Sequence, residues 1–480
     1  MVAEKALIEQ FLEFEKKLKL FKHEGNNIKY WHLIRFGIYS EIEKQKIGLG
    51  IGHDSLKGKS ILSRIKIKFK QIPNILFNSP FFLKEKEFLI LNHQRRVMNE
   101  NVYTCIYTDN ILSSLNDSYL VLEDPLLDTH LKPIPKTNIK YTDYIHNFYL
   151  LKRVVKKLKG ERLLAELEKI KIREMIKSIN NEFSIKLNEE QWVKNVGNAL
   201  LEYKTMYKHY DKIIKRINPK IIIEVVSYAP SKFVINEIAK RRNIPTVELQ
   251  HGTMGKYHVA YNFAEKFNLD TFPDYVFLFG KFWQDNTRLP ISDSRIKVVG
   301  WPYFEQKLNE NKEKRKIKKE KVILFISQGT IGNQLSKIAL ELSKKIDHNQ
   351  NRIIYKLHPG EYLRWKEEYP WLLGSNIEIV DNNLHDMHYY FAQANVQVGV
   401  SSTALFEGIG YGLSTLVYKL PSHKYLEELY LSDLAYLVDD VDELLTYINL
   451  DYKNNFNNTN YFWEENSLEN IKKALNDILI

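Results

Sequence analysis

Short apolar runs alternate with helix-patterned segments along most of this chain, and that alternation limits the folds open to it. From residue 219 the runs "PKIIIEVVS", "IPTVEL", "PDYVFLFG" and "IKVVG" follow one another. Between the first two lies "SKFVINEIAKRRN", a helix pattern that ends in cations and an asparagine, as helix carboxyl ends prefer. Strands joined through helices pair in parallel, because the chain must cross back before the next strand begins. "EFLILNH" and "SYLVLEDP" supply earlier strands, followed by helical segments through about Lys215. After Lys321 the alternation restarts. Strands "VILFIS", "RIIYKLHP", "IEIVD", "VQVGV" and "STLVYK" are interleaved with helices "NQLSKIALELSKKI", "LHDMHYYFAQA" and "TALFEGIGY". The predicted class is α/β, with two doubly wound, Rossmann-like domains.

The 480 residues allow two or three domains. Residues 1–84 read as a basic helical extension. "FLEFEKKLKLF" spaces apolar residues at three and four, and "YWHLIRFGIYSEI" looks like a second helix. "LKGKSILSRIKIKFKQIPNILF" mixes cations with large apolar residues, which suits either an anionic bilayer surface or a basic helix packed on the protein. Residues 85–305 form the first Rossmann-like domain. "KLNENKEKRKIKKEK" marks a charged linker over 306–321. Residues 322–480 form the second domain, with the helical tail "SLENIKKALNDIL".

A hydrophobic fraction of 44% makes this globular material, and a net charge of +11 favours an anionic neighbour. Nucleic acid is not the expected partner, since no recognised binding motif or aromatic-interleaved basic strand accompanies the charge. The single cysteine, Cys105, excludes an intrachain disulfide framework and suits a reducing cytoplasm. No apolar run approaches the ~18 residues of a membrane-spanning helix, and no signal peptide is visible. The expected location is cytoplasmic, with possible peripheral attachment to the inner face of the membrane through residues 1–80.

Polar residues gather at four strand ends, where open α/β sheets hold their ligands. In "VELQHGTMGKYH" the strand ends at His251, with Gly252 and Gly255 able to form a tight, open turn and Lys256 adding charge. In "FISQGTIGNQ", Ser327, Gln328, Gly329 and Thr330 follow a strand and precede a helix, a turn able to present backbone N–H groups to a phosphate. It is not a P-loop, because the glycine and lysine spacing is absent. "YKLHPGEY" ends a strand with His358, and Pro359 disfavours helical backbone there. An imidazole so held donates a hydrogen bond to a phosphate or takes a proton. "VQVGVSSTALFEGIGYGLSTLVY" runs a strand into Ser401, Ser402 and Thr403 at a helix start that Gly412 later closes. Three hydroxyls exceed what one cap requires, and with the free N–H groups they form a phosphate seat. Glu407, further along that helix, is placed to accept from a ribose diol.

Taken together, these stretches resemble the GT-B glycosyltransferases over roughly residues 85–465. That fold has two Rossmann-like domains facing a cleft, with the activated donor held mainly by the second. The likeness is to bacterial capsule and lipopolysaccharide enzymes: polysialyltransferases, Kdo transferases and teichoic-acid glycerophosphotransferases. The resemblance matches His358-Pro359 and Ser401-Ser402-Thr403 to motifs that hold the donor's nucleotide phosphate. It matches His251, Gly252 and Lys256 to a histidine–glycine motif of the glycerophosphotransferases. "VVGWP", Val298 to Pro302, resembles the passage to the hinge. Two features depart from the pattern: no acidic pair followed by glycine supplies a base, and Glu361 stands where an arginine typically follows "HPG".

The resemblance implies a glycosyltransferase that moves a sugar from a CMP-, CDP- or UDP-linked donor to a surface polysaccharide or lipid-linked glycan. His251 is then the general base or a contact to the donor phosphate. His358, the 401–403 helix start and the 327–330 turn stabilise the leaving group. No DxD-type metal motif stands at a strand end, so neither a metal nor a cofactor is expected. A polyol-phosphate transferase and a GT-B nucleotide-sugar epimerase are the alternatives.

Overall fold

The computed structural model describes residues 4–47, 71–313, 320–450 and 459–479, apart from 82, 95, 100, 116, 117, 136 and 137. The chain divides into two compact units. The first comprises Met1–Leu278, Trp283–Val299 and Leu468–Ile480; the second comprises Phe279–Phe282 and Gly300–Ser467.

In the first unit, β1 (Phe88–Leu91), β2 (Tyr119–Glu123), β3 (Ile139–Tyr141), β4 (Ile221–Val225), β5 (Thr246–Leu249), β6 (Tyr275–Leu278) and β7 (Ile296–Val298) build one sheet. Every pairing is parallel, in the order β7-β6-β5-β4-β1-β2-β3. The second unit holds β8 (Lys321–Ile326), β9 (Asn351–Lys356), β10 (Ile377–Val380), β11 (Val396–Gly399), β12 (Ser414–Tyr418) and β13 (Tyr436–Val438). They pair in parallel in the order β10-β9-β8-β11-β12-β13. Each order reverses once, between β1 and β4 and between β8 and β11. Those reversals are the topological switch points of Rossmann-like sheets, where crossover connections diverge and leave a crevice at the strand carboxyl ends.

The predicted strands all form. The edge strands β3 and β13, with three residues each, carry too little apolar pattern to be read from sequence. The helices used below are α1 (Glu4–Lys17), α2 (Trp31–Ile47), α3 (Asp143–Leu158), α4 (Glu166–Phe183), α5 (Glu189–Ile217) and α6 (Pro230–Arg241). The second unit adds α7 (Pro302–Glu310), α8 (Gly332–Lys345), α9 (Met387–Gln393), α10 (Ala404–Gly410) and α11 (Val441–Asn449), and α12 (Ser467–Leu479) closes the chain. Among the described residues no helix is long and apolar enough to cross a membrane.

Period-two alternation sends successive side chains to opposite faces of the first sheet. Leu89, Leu91 and Ile222 pack against α5 and α6 through Tyr210, Ile214, Phe233 and Ile238. Ile90, Ile221 and Ile223 pack on the other face, where Ile471, Ala474 and Leu475 of α12 complete the core. The tail helix was expected with the second domain; residues 468–480 belong to the first unit. An amphipathic pattern shows that a helix buries one face, not which sheet receives it.

The amino-terminal extension is also built into the first unit. Leu7, Ile8, Phe11 and Leu12 of α1 are buried, and Phe11 stacks near Trp31 and Phe183. Arg35 of α2 forms a buried pair with Glu15 (Nη2 to Oε2, 2.8 Å) and also donates to the carbonyls of Val259 and Asn262. The apolar stripe of α1 is therefore spent on the core rather than on a lipid surface. The basic stretch 48–70 lies outside the described residues, as do 314–319 of the expected linker, whose first residues form the end of α7.

Glu224 of β4 and Glu248 of β5 are cross-strand partners, both fully buried. Burial, reinforced at Glu224 by the charge of Glu248, raises Glu224 to about 8, and burial alone raises Glu248 to about 7. Each folded-state value exceeds the 4.5 of an ordinary glutamate. Their contribution is thus fully present below that value and is lost as pH rises through 7 to 8. Unfolding free energy should fall between pH 5 and 7 by about 1.4 kcal/mol per unit for each carboxyl. Urea denaturation of Glu224→Gln should show a shallower slope with pH than the parent; an unchanged slope would remove Glu224 as its source.

Candidate active site

In the first unit, β5 runs through Leu249 into His251, and β4 runs through Val225 into Tyr228. Gly252 takes a left-handed backbone (φ +64°), which glycine adopts without strain. Gly255 does not; its carbonyl accepts from Asn262 Nδ2 at 2.8 Å, which holds the loop by another means. Tyr228 lies 3.3 Å from His251 Nε2, and the Tyr261 hydroxyl lies 3.4 Å from Nδ1. Tyr261 also donates to Glu248 Oε1 at 2.6 Å, an oxygen that accepts from the Ser227 N–H at 2.9 Å. These bonds fit one tautomer. His251 carries its proton on Nδ1, directed to Tyr261, while Nε2 is the acceptor. Burial, aided by His258 and His93, holds His251 well below the usual histidine value, so the ring is neutral. A neutral imidazole keeps the Nε2 lone pair that proton abstraction needs, while the burial that keeps it neutral also lowers its basicity. Lys256, also predicted for this turn, is exposed beside it.

His93, two residues past β1, stacks with its ring 6.3 Å from that of His251. His93, Tyr228 and Tyr261 were not singled out in the sequence. Each is an ordinary polar residue until the sheet order places the ends of β1, β4 and β5 side by side.

A pocket of about 310 Å³ opens at the ends of β1, β2, β3 and β4, lined by Gln94, Asp124, Thr142, Glu202, Tyr210 and Ser231 among others. Asp124 accepts from Ser231 (2.8 Å) and Tyr210 (3.2 Å) and faces Lys232 at 3.7 Å. Those contacts outweigh burial and hold its carboxyl below the usual range. Burial pushes Glu202 up to about 7. Glu123 and Asp124 form an acidic pair at the end of β2, followed by proline rather than glycine, and Glu123 is occupied by Arg96 (2.8 Å) and His130 (3.1 Å). A larger pocket, about 650 Å³, lies between the amino-terminal helices and residues 265–271.

In the second unit the 327–330 turn follows β8 and the 401–403 segment follows β11, so the switch point brings them together. Gln328 Oε1 accepts from the Ser401 N–H (3.1 Å) and from Ser401 Oγ (3.2 Å). The Gln328 NH2 group has no partner among the described residues. Ser402 Oγ accepts from the Ala404 N–H at 3.3 Å, while Thr403, the residue at the helix start, is exposed. Gly329 and Thr330 are exposed at the same rim.

Ser327 does not reach that rim. It is buried, donates to Glu361 Oε1 at 3.0 Å, and accepts from Tyr355 at 3.1 Å. Glu361 in turn accepts from Tyr369 (2.7 Å) and from the His358 backbone N–H (2.6 Å). This fully buried carboxylate joins the ends of β8 and β9 and sets the position of His358. The His358 ring is exposed, and its Nδ1 accepts from the Gly360 N–H at 3.1 Å. Nε2 therefore carries the proton, a donor facing solvent at a strand end. Pro359 opens the short helical turn after it. Arg364, four residues past Gly360, donates to the Gly360 carbonyl at 3.1 Å. Its guanidinium lies against Gly329, 3.2 Å from where a Cβ would stand. A cation thus stands one helical turn after "HPG", paired there with Glu368 (Nη1 to Oε1, 3.0 Å).

Glu407 turns toward His388, whose Nε2 lies 3.5 Å from Oε2, with about a quarter of its side chain open. Burial, then the charge of Asp386, raises Glu407 to about 8, and burial lowers His388 to about 4, so both are neutral near pH 7. Among the described residues no group of three or more histidine, cysteine or acidic side chains is placed to hold a metal ion.

Each unit thus presents polar side chains at the switch point of a Rossmann-like sheet, the two-domain composition of the GT-B class. Solved structures share it. The UDP-GlcNAc 2-epimerase of Methanocaldococcus jannaschii is 13% identical with a TM-score of 0.50, covering 81% of this chain and 99% of its own. The UDP-GlcNAc 2-epimerase of Neisseria meningitidis, bound to UDP-GlcNAc, is 13% identical with a TM-score of 0.49 over the same shares. The wall teichoic acid polymerase TagF is 10% identical with a TM-score of 0.43, covering 88% of this chain and 98% of its own. At 13% identity the likeness to the Methanocaldococcus structure is one of fold. No protein-family model matches the chain, and no curated protein sequence matches it.

Replacing Glu361 by alanine leaves two hydroxyls and the His358 N–H without their acceptor. The expected loss is about 3 kcal/mol of unfolding free energy, read by urea denaturation. A loss under about 0.5 kcal/mol, the size of an ordinary surface substitution, would mean that Glu361 does not hold the turn.

Proposed function

We propose that the chain is a glycosyltransferase that takes a sugar from a nucleotide-activated donor and passes it to a hydroxyl of a glycan or lipid-linked acceptor without a metal ion. The observation that carries this reading is the pair of histidine tautomers: His251 offers an unprotonated Nε2, met only by the long Tyr228 contact, and His358 offers an Nε2–H. One suits removal of a proton, the other stabilisation of departing negative charge.

The reading assigns the donor's phosphates to the second unit. His358, Arg364, the N–H groups and hydroxyls of Ser402 and Thr403 and the Gln328 NH2 group are the donors there, with Ser401 held by Gln328, and Glu407 receives the ribose. His251 takes the proton of the acceptor hydroxyl as its oxygen attacks the anomeric carbon. The bond from that carbon to the phosphate oxygen breaks, and the nucleotide leaves with its electron pair. The Tyr228 contact to Nε2 is at the long end of hydrogen bonding, so an acceptor hydroxyl displaces it at small cost.

A polyol-phosphate transferase uses the same seats and differs in the atom attacked, phosphorus instead of carbon. An epimerase uses them without an acceptor, and the fold shared with the Methanocaldococcus UDP-GlcNAc 2-epimerase keeps that reading in play. Incubation with nucleotide sugars alone separates them: an epimer product supports the epimerase, whereas transfer that requires an added acceptor supports the transferase.

Thermal unfolding in CMP, CDP, UDP and GDP identifies the leaving group, because a nucleotide at a hundred times its Kd raises stability by about 2.7 kcal/mol. Arg364→Ala should reduce that shift while leaving the unliganded transition nearly unchanged. His251→Ala should lower kcat on the order of a hundredfold or more, and His358→Ala should do so with weaker nucleotide binding. If both histidine variants keep near-parent turnover, the assignment fails.

A further inference from the structure

The helix α3 carries its apolar stripe on the wrong side for a core. Phe148, Leu151, Val155 and Leu158 recur at spacings of three and four, the pattern of a buried helix face, yet all are exposed, Leu151 by 61% and Leu158 by 82%. Asp143, Ile145 and Tyr149 are the residues that α3 buries, the last two on the adjoining face. The stripe continues onto residues 71–81, joined to α3 by Asn147 Nδ2 donating to Gln71 Oε1 at 2.9 Å and by the Phe81 and Tyr144 rings 4.9 Å apart. Leu76 and Phe77 are exposed there by 65% and 76%. Contiguous apolar surface of this kind marks an interaction face.

The charges around it have one dominant sign. Lys152, Lys156 and Lys159 form the next stripe of α3, one residue on from the apolar one. Lys204, Lys208 and Lys212 stand four apart on the neighbouring α5, and Phe148 packs against His209 of that helix with ring centres 5.1 Å apart. Burial together with Lys208, Lys156 and Lys204 lowers Lys152 from its ordinary value, and burial, then Lys212 and Lys152, lowers His209. Glu161 pairs with Lys156, and Glu202 is largely enclosed.

We propose that the exposed face of α3, with residues 71–81 and the lysine row of α5, docks on the surface of an anionic lipid bilayer. Apolar side chains enter the boundary between headgroups and acyl chains while long cationic side chains reach the phosphates, as amphipathic surface helices do. A second copy of this chain fits less well, since a two-fold contact would set one lysine cluster against another. Nucleic acid would satisfy the lysines and leave the leucine and valine stripe in water. The inference does not depend on the chemistry proposed above.

Cosedimentation of the full chain with vesicles tests it. Binding should be roughly tenfold or more tighter on phosphatidylglycerol mixed with phosphatidylcholine than on phosphatidylcholine alone, and it should weaken in high salt. The exposed double variants Leu151→Glu/Leu158→Glu and Lys204→Glu/Lys208→Glu should each lower that binding by a similar factor with unchanged thermal unfolding. Absence of parent binding, or full retention by both variants, overturns the proposal. So does a dimer in sedimentation velocity that Leu151→Glu/Leu158→Glu dissociates, since the face would then belong to a second copy.

Discussion

Parallel pairing at the two points where strand order reverses is the constraint on which the rest of the molecule depends. β1 pairs with both β2 and β4, and β8 with both β9 and β11. Connections leave each pair toward opposite faces of the sheet, so no helix covers the carboxyl end between them. Backbone groups exposed there need polar partners. That need explains why Gln328 reaches across to Ser401 and why Tyr228, His93 and His251 collect at the other reversal. The polar residues do not create these crevices. They occupy gaps that topology has already opened.

Loops at such gaps need bracing from below, and both units use a buried carboxylate. Glu361 accepts from groups on two consecutive strand ends. Gly332 makes room for it, since a Cβ there would stand 2.1 Å from Glu361 Oε1. In the first unit Glu15 fixes Arg35, and Arg35 holds the carbonyls of Val259 and Asn262 on the loop that follows His251. Removing one member of a buried pair costs about 3–5 kcal/mol because its partner is left charged and alone. The amino-terminal helices therefore act as a clamp on a strand-end loop.

The pattern of strands and helices was legible because a parallel sheet buries both faces and writes continuous apolar runs into the sequence. Several of the polar residues gathered at the switch points were legible for a related reason. His251, His358, Gln328 and Ser401 directly follow such runs, and a polar residue at a run's end is conspicuous. What stayed hidden acts across sequence distance. Arg35 lies 224 positions from Val259, and Glu361 meets Ser327 from 34 positions away. Ser327 shows the converse: its strand-end place suggested a ligand contact, but its hydroxyl is consumed internally by Glu361. Position along the chain fixes where a side chain starts, and the partners it finds decide what remains free.

Helical periodicity has a similar blind spot. The stripes of α1 and α3 have the same spacing of large apolar residues, yet Phe11 is fully buried and Leu158 stands in solvent. Periodicity reports that a helix has two unlike faces; only packing reports which face the protein keeps. For α3, the buried face holds Asp143, Ile145 and Tyr149 and is already committed to the sheet and α5. The apolar stripe is therefore a second face rather than a misplaced core. With lysines flanking it, burying that stripe against the protein would crowd like charges, whereas an anionic surface lowers the energy of both at once. The excess of cations, unspecific as a net value, acquires a location on the first unit.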